Sequence, residues 1–203
     1  IELRRGDPAL ALELSRNALA ADLDDRWGSD AVFLSTVRDA AIGGNGNVGD
    51  ILELYRERAP DAFGPSPEIS SQDLRYAVDA VPLLHHLGEE EAADRMIAAA
   101  LAFYDRVNPQ RLRGYDFSIV DVELLALDGQ PELALERLQE AVEDGWFTAW
   151  QLDLRSSTLD SIRERPEFRE IVAQLESKTA EQHANWAATP HLGRFDLRDT
   201  ASR

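Results

Sequence analysis

Apolar residues recur along this chain at helical spacing. In "RYAVDAVPLLHHL" the residues Ala77, Ala80, Val81, Leu84 and Leu87 share one face. In "AADRMIAAALAFY" the same is true of Ala93, Met96, Ile97, Ala100, Leu101 and Tyr104. Both follow the i, i+3, i+4, i+7 pattern of an amphipathic helix, and strict strand alternation occurs nowhere. Start signals agree: Pro8, Pro131 and Pro166 each stand at a first helical position, and Ser70 with Asp73 resembles a capping box. The pattern predicts helices near 8–22, 29–42, 49–59, 70–87, 89–106, 116–128, 131–144 and 166–188, with a short helical turn near 157–164. Pro82 should bend its helix without breaking it, because Leu83, Leu84 and Leu87 continue the apolar face. Joints are brief at 87–90 and 127–131, and longer connections run over 59–70 and 106–115. The fold class is all-α, a chain of antiparallel hairpins.

The joints repeat. Five, nine and twelve residues after Gly88 stand Ala93, Ile97 and Ala100; after Gly129 stand Ala134, Leu138 and Ala141. After Gly6 the same offsets give Ala11, Ser15 and Ala18. Gly88 and Gly129 are 41 residues apart, and Gly6 lies 82 before Gly88, so a further joint is expected near 47. The sequence there reads "GGNGNVGD", with Leu52, Arg56 and Ala59 at the offsets from Asn47. Glycine frees the joint from the Cβ constraint. Small residues just beyond it let two helices approach closely, and the large residue between them fills the gap between layers.

A glycine joint followed by alanines at five and twelve, and a large apolar residue at nine, resembles the tetratricopeptide repeat. First-helix positions Val81 with Leu84, and Val122 with Leu125, fit it as well. Three features depart: a period of 41 rather than 34, Pro82 inside a first helix, and Asp121 at an apolar place. HEAT-type repeats match the period but do not call for the paired alanines. The stretch from "LLALDGQPELALERLQEAVEDGW" through Trp150 to "LDSIRERPEFREIVAQL" is similar to the last repeat and terminal cap of arrays found C-terminal to bacterial signalling heads. Those heads are ToxR-type winged-helix regulators, class III adenylate cyclases and serine/threonine kinases. The resemblance implies a tetratricopeptide-like solenoid over 1–145, a cap and long helix over 146–188, and a flexible tail over 189–203. It also implies a concave groove of first helices, with Arg75, Val78, Pro82, His85, Asp116, Ile119 and Glu123 facing outward to a protein or peptide partner, or to an upstream domain of the same chain.

Charge narrows the partners. The chain holds 21 basic and 38 acidic residues for a net −17, which argues against nucleic acid and anionic membranes, because phosphate rewards clustered Lys and Arg. No apolar stretch approaches the ~20 residues of a membrane span. Cysteine is absent, which excludes disulfides and thiolate metal sites. The cytoplasm is the expected compartment, with the periplasm as the alternative if a missing head is membrane-anchored.

Three motifs suggest chemistry. Gly44-x-Gly46-x-x-Gly49, with Glu68 beyond it, matches a dinucleotide fingerprint, which needs a buried strand leading into the first glycine. Arg38 and Asp39 sit where that strand would be buried, so these glycines read as an expanded joint and no cofactor is expected. His85 and His86 are adjacent, point about 100° apart on a helix, and cannot chelate one metal; one packed and one solvated histidine is expected. Trp146, Phe147 and Trp150 could form an aromatic cage, but they follow an amphipathic helix ending at Gly145 and are expected to seat the terminal helix. No catalytic constellation can be assembled.

These readings favour a non-catalytic regulatory, protein-binding array. The alternative is a small-molecule sensor with its pocket under the 59–70 connection or around the tryptophans. Only "IELRR" precedes Gly6, so a first helix is expected upstream of this segment. Helix 8–22 would then leave Ala11, Leu14 and Ala18 facing open space, an edge for homodimerisation or for residues 1–5 folded back.

Overall fold

A computed structural model describes residues 8–20, 30–112, 118–147 and 150–188. Every regular element among them is helical. The main helices are α1 (Pro8–Ala20), α2 (Asp30–Ile42), α3 (Val48–Arg58), α4 (Leu74–Leu87), α5 (Glu90–Val107), α6 (Val120–Leu127) and α7 (Pro131–Glu143). Two short helices follow, α8 (Trp150–Asp153) and α9 (Asp160–Arg163), and then the long α10 (Pro166–Ala187). Two 3-10 turns, Pro60–Phe63 and Ser157–Leu159, complete the set. Helices α7 and α10 begin at their prolines, where a missing N–H costs nothing.

Local chemistry explains where the expected boundaries shift. Ser70 and Asp73 do form a reciprocal pair: Ser70 N–H donates to Asp73 Oδ2 at 3.2 Å, and Asp73 N–H to Ser70 Oγ at 3.3 Å. That pair holds 70–73 as a turn, so the helix starts at Leu74 rather than at 70. Helix α4 runs unbroken through Pro82. Leu83 and Leu84 are buried beyond it, but Leu87 is 42% exposed and does not belong to the apolar face. The turn at Pro60–Phe63 and helix α8 lie where no element was expected.

The joints share one geometry. Gly44, Gly88, Gly129 and Gly145 all have positive φ, between 70° and 92°. After each, the next amide reaches back to close the helix end: Asn45 to the Ala40 carbonyl, Glu89 to Leu84, Gln130 to Leu125, Trp146 to Ala141, all at 2.8 or 2.9 Å. The joint expected at Asn47 therefore turns at Gly44, and Asn47 instead caps α3, its side chain accepting from Gly49 N–H at 2.9 Å. The Gly6 joint and the 189–203 tail lie outside the described residues.

Packing follows the hairpins. Helix α1 lies on α2, α2 on α3, α4 on α5 and α6 on α7, while α2, α4 and α6 also touch in succession. Ala93, Ile97, Ala100, Ala134, Leu138 and Ala141 are all buried at these contacts. Leu52 and Ala59 are buried too, whereas Arg56 stays at the surface. The edge expected at α1 needs correction. Ala11 is buried against the body and Ala18 half-buried; only Leu14, 47% exposed, and its neighbour Leu10 face outward. Helix α1 packs on α2, with Leu12 and Leu19 against the cluster that holds Leu34, Val37 and Ala41.

Candidate functional site

Across the three touching helices runs a row of buried charge. Arg38 on α2 is completely buried, and so is nearly all of Asp79 on α4 and Glu123 on α6. Arg38 Nη1 donates to Asp79 Oδ1 at 2.6 Å, and Arg38 Nε to Asp39 Oδ1 at 2.8 Å. Arg75, one turn before Asp79, bonds the same Asp79 oxygen and clamps Glu123 with two bonds, at 2.6 and 3.0 Å. Burial works against the charge on Arg38, but Asp79 and Asp39 outweigh it and hold the guanidinium protonated. Burial likewise opposes ionised Asp79, yet Arg75 and Arg38 hold its carboxyl below the usual range. Each buried charge thus has a partner of opposite sign, the condition under which burial is tolerated.

The chain's own C-terminal segment closes over this row. The turn Ser157–Leu159 packs on both α4 and α6. Arg38 Nη2 donates to Ser156 Oγ at 2.8 Å, Ser157 Oγ donates to Asp39 Oδ1 at 2.7 Å, and Thr158 Oγ1 donates to Glu123 Oε1 at 2.8 Å. Arg163 secures the segment from behind, donating to the carbonyls of Leu154 and Ser156 at 2.6 and 2.7 Å. Leu154, Leu159 and Ile162 anchor it in the C-terminal core. Next to it, Asp153 accepts from Ser118 Oγ at 2.8 Å, and Ser118 in turn accepts from Trp146 Nε1 at 3.0 Å.

No family model, curated protein or solved structure matches the chain.

The groove residues expected from the sequence therefore divide. Val78 and Ile119 are buried, Val78 in a cluster with Phe103, Tyr104 and Leu124 from α5 and α6, and Ile119 in the C-terminal core. Glu123 is buried between Arg75 and Thr158. These three do not face outward, because neighbouring helices and the returning 154–159 segment cover them. Arg75 and His85 keep about a third of their side chains exposed, and Pro82 is half-buried. Asp116 lies outside the described residues.

The other motifs resolve structurally. A helix, α2, leads into Gly44, where the dinucleotide fingerprint requires a strand. His85 Nδ1 lies 2.6 Å from Glu90 Oε2, and His86 is exposed. Among the described residues no group of three or more His, Asp or Glu side chains is placed to hold a metal, and no helix is long and apolar enough to cross a membrane. Trp146 and Trp150 are buried, and Trp150 Nε1 donates to Thr179 Oγ1 on α10 at 3.3 Å. They seat the terminal helix. Asp121, at a place where an apolar residue is usual, is buried with Arg111 Nη1 3.4 Å away.

An open concave surface lies at the C-terminal end. Between α7 and α10 lies a groove of about 320 Å³ with Leu135 and Ile171 at its floor. Glu132, Glu136, Glu167 and Glu170 line its walls. Arg165 answers only part of that charge, bonding Glu132 Oε1 at 2.8 Å. Sequence reading missed both this groove and the Arg38–Asp79 pair. One signal for the pair was present: Arg38 interrupts the stripe Leu34, Val37, Ala41 at a core position.

Proposed function

We propose that this chain is a non-catalytic regulatory array of tetratricopeptide-like hairpins that binds a protein or peptide partner, as part of a bacterial signalling or transcription-regulatory protein. One observation carries the reading: hairpins recur at a near-constant interval, with helices opening just after Asn47, Glu89 and Gln130 and each joint turned by a left-handed glycine. Alanines are buried at matching places after the joints at Gly88 and Gly129. Stacked hairpins of this kind present extended surfaces rather than a reacting centre.

The partner surface supported best is the groove between α7 and α10. Its apolar floor would take one or two aliphatic side chains, and its glutamates favour Lys or Arg beside them. The net charge of −17 steers basic partners toward the whole chain. Selection of a random peptide library on the immobilised chain tests this. Recovered peptides should be rich in basic and apolar residues, and calorimetry should show affinity falling at least about tenfold, worth ~1.4 kcal/mol, in Glu136→Lys/Glu170→Lys. Both positions are exposed, so melting temperature should not move. Recovery of no binder, or equal binding to the double variant, would overturn the assignment.

A further inference from the structure

Of the chain's five asparagines, Asn45 alone is followed by glycine. It stands in the joint between α2 and α3, directly after the left-handed Gly44, and both Asn45 and Gly46 are exposed. The Asn45 main chain is held at both ends. Its N–H donates to the Ala40 carbonyl at 2.8 Å, and its carbonyl accepts from Arg16 Nη2 on α1 at 2.6 Å. Its carboxamide makes no hydrogen bond to a described residue, and neither does the Gly46 amide. A Cβ added at Gly46 would meet Ala41 Cβ at 3.3 Å, so packing favours glycine here.

These are the conditions for an intramolecular attack. A solvent base takes the Gly46 amide proton, the nitrogen attacks Asn45 Cγ, and ammonia leaves from the carboxamide. Water then opens the cyclic imide at either carbonyl and yields aspartate or its β-linked isomer. Glycine permits the step, because no Cβ shields its nitrogen. As the proton leaves, negative charge spreads from that nitrogen onto the Asn45 carbonyl oxygen. Arg16 already holds a guanidinium on this oxygen, and a cation fixed where charge develops lowers the barrier.

The other asparagines lack the arrangement. Asn47 uses its Oδ1 to accept from Gly49 N–H, and the β-branched Val48 follows it. Asn108 is buried and precedes Pro109, which has no N–H to lose. Asn17 and Asn185 lie within α1 and α10, where the helical ladder engages the next amide.

We propose that Asn45–Gly46 is a self-modification site, converting to aspartate and isoaspartate through a cyclic imide, and that Arg16 speeds the conversion. Isoaspartate lengthens the main chain by one carbon at the turn that sets α2 against α3. Either product adds an anion at the C-terminal end of α2, where the helix dipole disfavours negative charge. The site needs no partner, so it stands or falls apart from the groove between α7 and α10.

Incubation of the full chain at neutral pH, sampled over weeks and digested with trypsin, tests this. Peptide 39–56 carries Asn45 and Asn47 together, so one fragment spectrum compares them. The amide-to-acid exchange should fall on Asn45, at least about tenfold faster than on Asn47. Arg16→Gln, at an exposed position, should keep the melting temperature and slow Asn45 at least about threefold without moving Asn47. In urea, where the Arg16 contact is lost, wild type and variant should convert at one rate. An unconverted Asn45, Asn47 converting as fast, a folded Arg16→Gln as fast as wild type, or a difference that persists in urea would each overturn the proposal.

Discussion

Arg38 on α2 donates from Nη2 to Ser156 Oγ at 2.8 Å, across 118 residues of chain. Ser157 and Asp39 join the same two regions beside it. The link ties α2 to the C-terminal turn, so the stabilities of the two regions are coupled. Ser156→Ala should cost about 1–2 kcal/mol, because a buried guanidinium loses an acceptor. Hydrogen exchange should quicken in α2 as well as around residue 156. Unchanged protection of α2 would show that the bond couples nothing.

Asp79 is shared by Arg38 and Arg75, so removing it leaves the fully buried Arg38 with Asp39 as its one remaining carboxylate and Arg75 with Glu123. Asp79→Ala should destabilise the chain by about 3–5 kcal/mol, the cost of breaking a buried ion pair from one side. Urea unfolding gives the number directly. A loss under ~1 kcal/mol would mean that solvent already reaches this row.

The Tyr55 hydroxyl is buried and makes no hydrogen bond to any described residue. Burial first, and then the nearby Asp79 charge, push its pKa up, so it remains a neutral phenol. Tyr55→Phe deletes an unsatisfied polar group while keeping the ring that meets Tyr76 edge-on at 6.4 Å. The variant should be neutral or up to about 1 kcal/mol more stable. A clear loss in the denaturation midpoint would reveal a partner for that oxygen.

Asp153 has a pH signature of opposite sign to Asp79. Burial, resisted by the Ser118 hydrogen bond and aided by Glu123, pushes its pKa up to about 6. An unfolded aspartate titrates near ~3.9, so the folded state holds the proton more tightly. The stability this adds is complete below ~3.9 and is lost as pH rises through about 6. Asp153→Asn keeps an acceptor for Ser118 and removes the titration. From about pH 4.5 to about pH 7.5, wild type should lose roughly 2 kcal/mol relative to Asp153→Asn. Parallel pH profiles for the two proteins would place Asp153 in solvent.

Ala134 is completely buried just past the Gly129 joint. Ala134→Leu should overpack the α6–α7 contact by about 1–3 kcal/mol, whereas Glu136→Leu on the exposed face should change stability little. Equal melting temperatures for the two variants would mean the hairpin has room to spare.

Helix content and the turns at Gly88 and Gly129 were legible in the linear pattern because each rests on near neighbours. Periodicity marks a buried stripe, proline marks a first turn, and glycine marks a left-handed closure; Gly129 with Pro131 shows all three within a few residues, and Gly88 shows the stripe and the closure. The tryptophans were readable for the same reason, since Trp146 and Trp150 follow directly on the helix that they finish. The candidate sites were not readable. Val78, Ile119 and Glu123 were expected outside and lie inside, because a segment more than thirty residues further along the chain returns to cover Glu123. A helical wheel places a charge on the apolar face but cannot name its counter-ion, and Arg38 finds Asp79 and Ser156 only when α2, α4 and the C-terminal turn converge. Cavities are shaped by what fails to touch, such as the groove between α7 and α10. Local spacing determined the hairpins; long-range convergence decided which charges are buried and which hollows stay open.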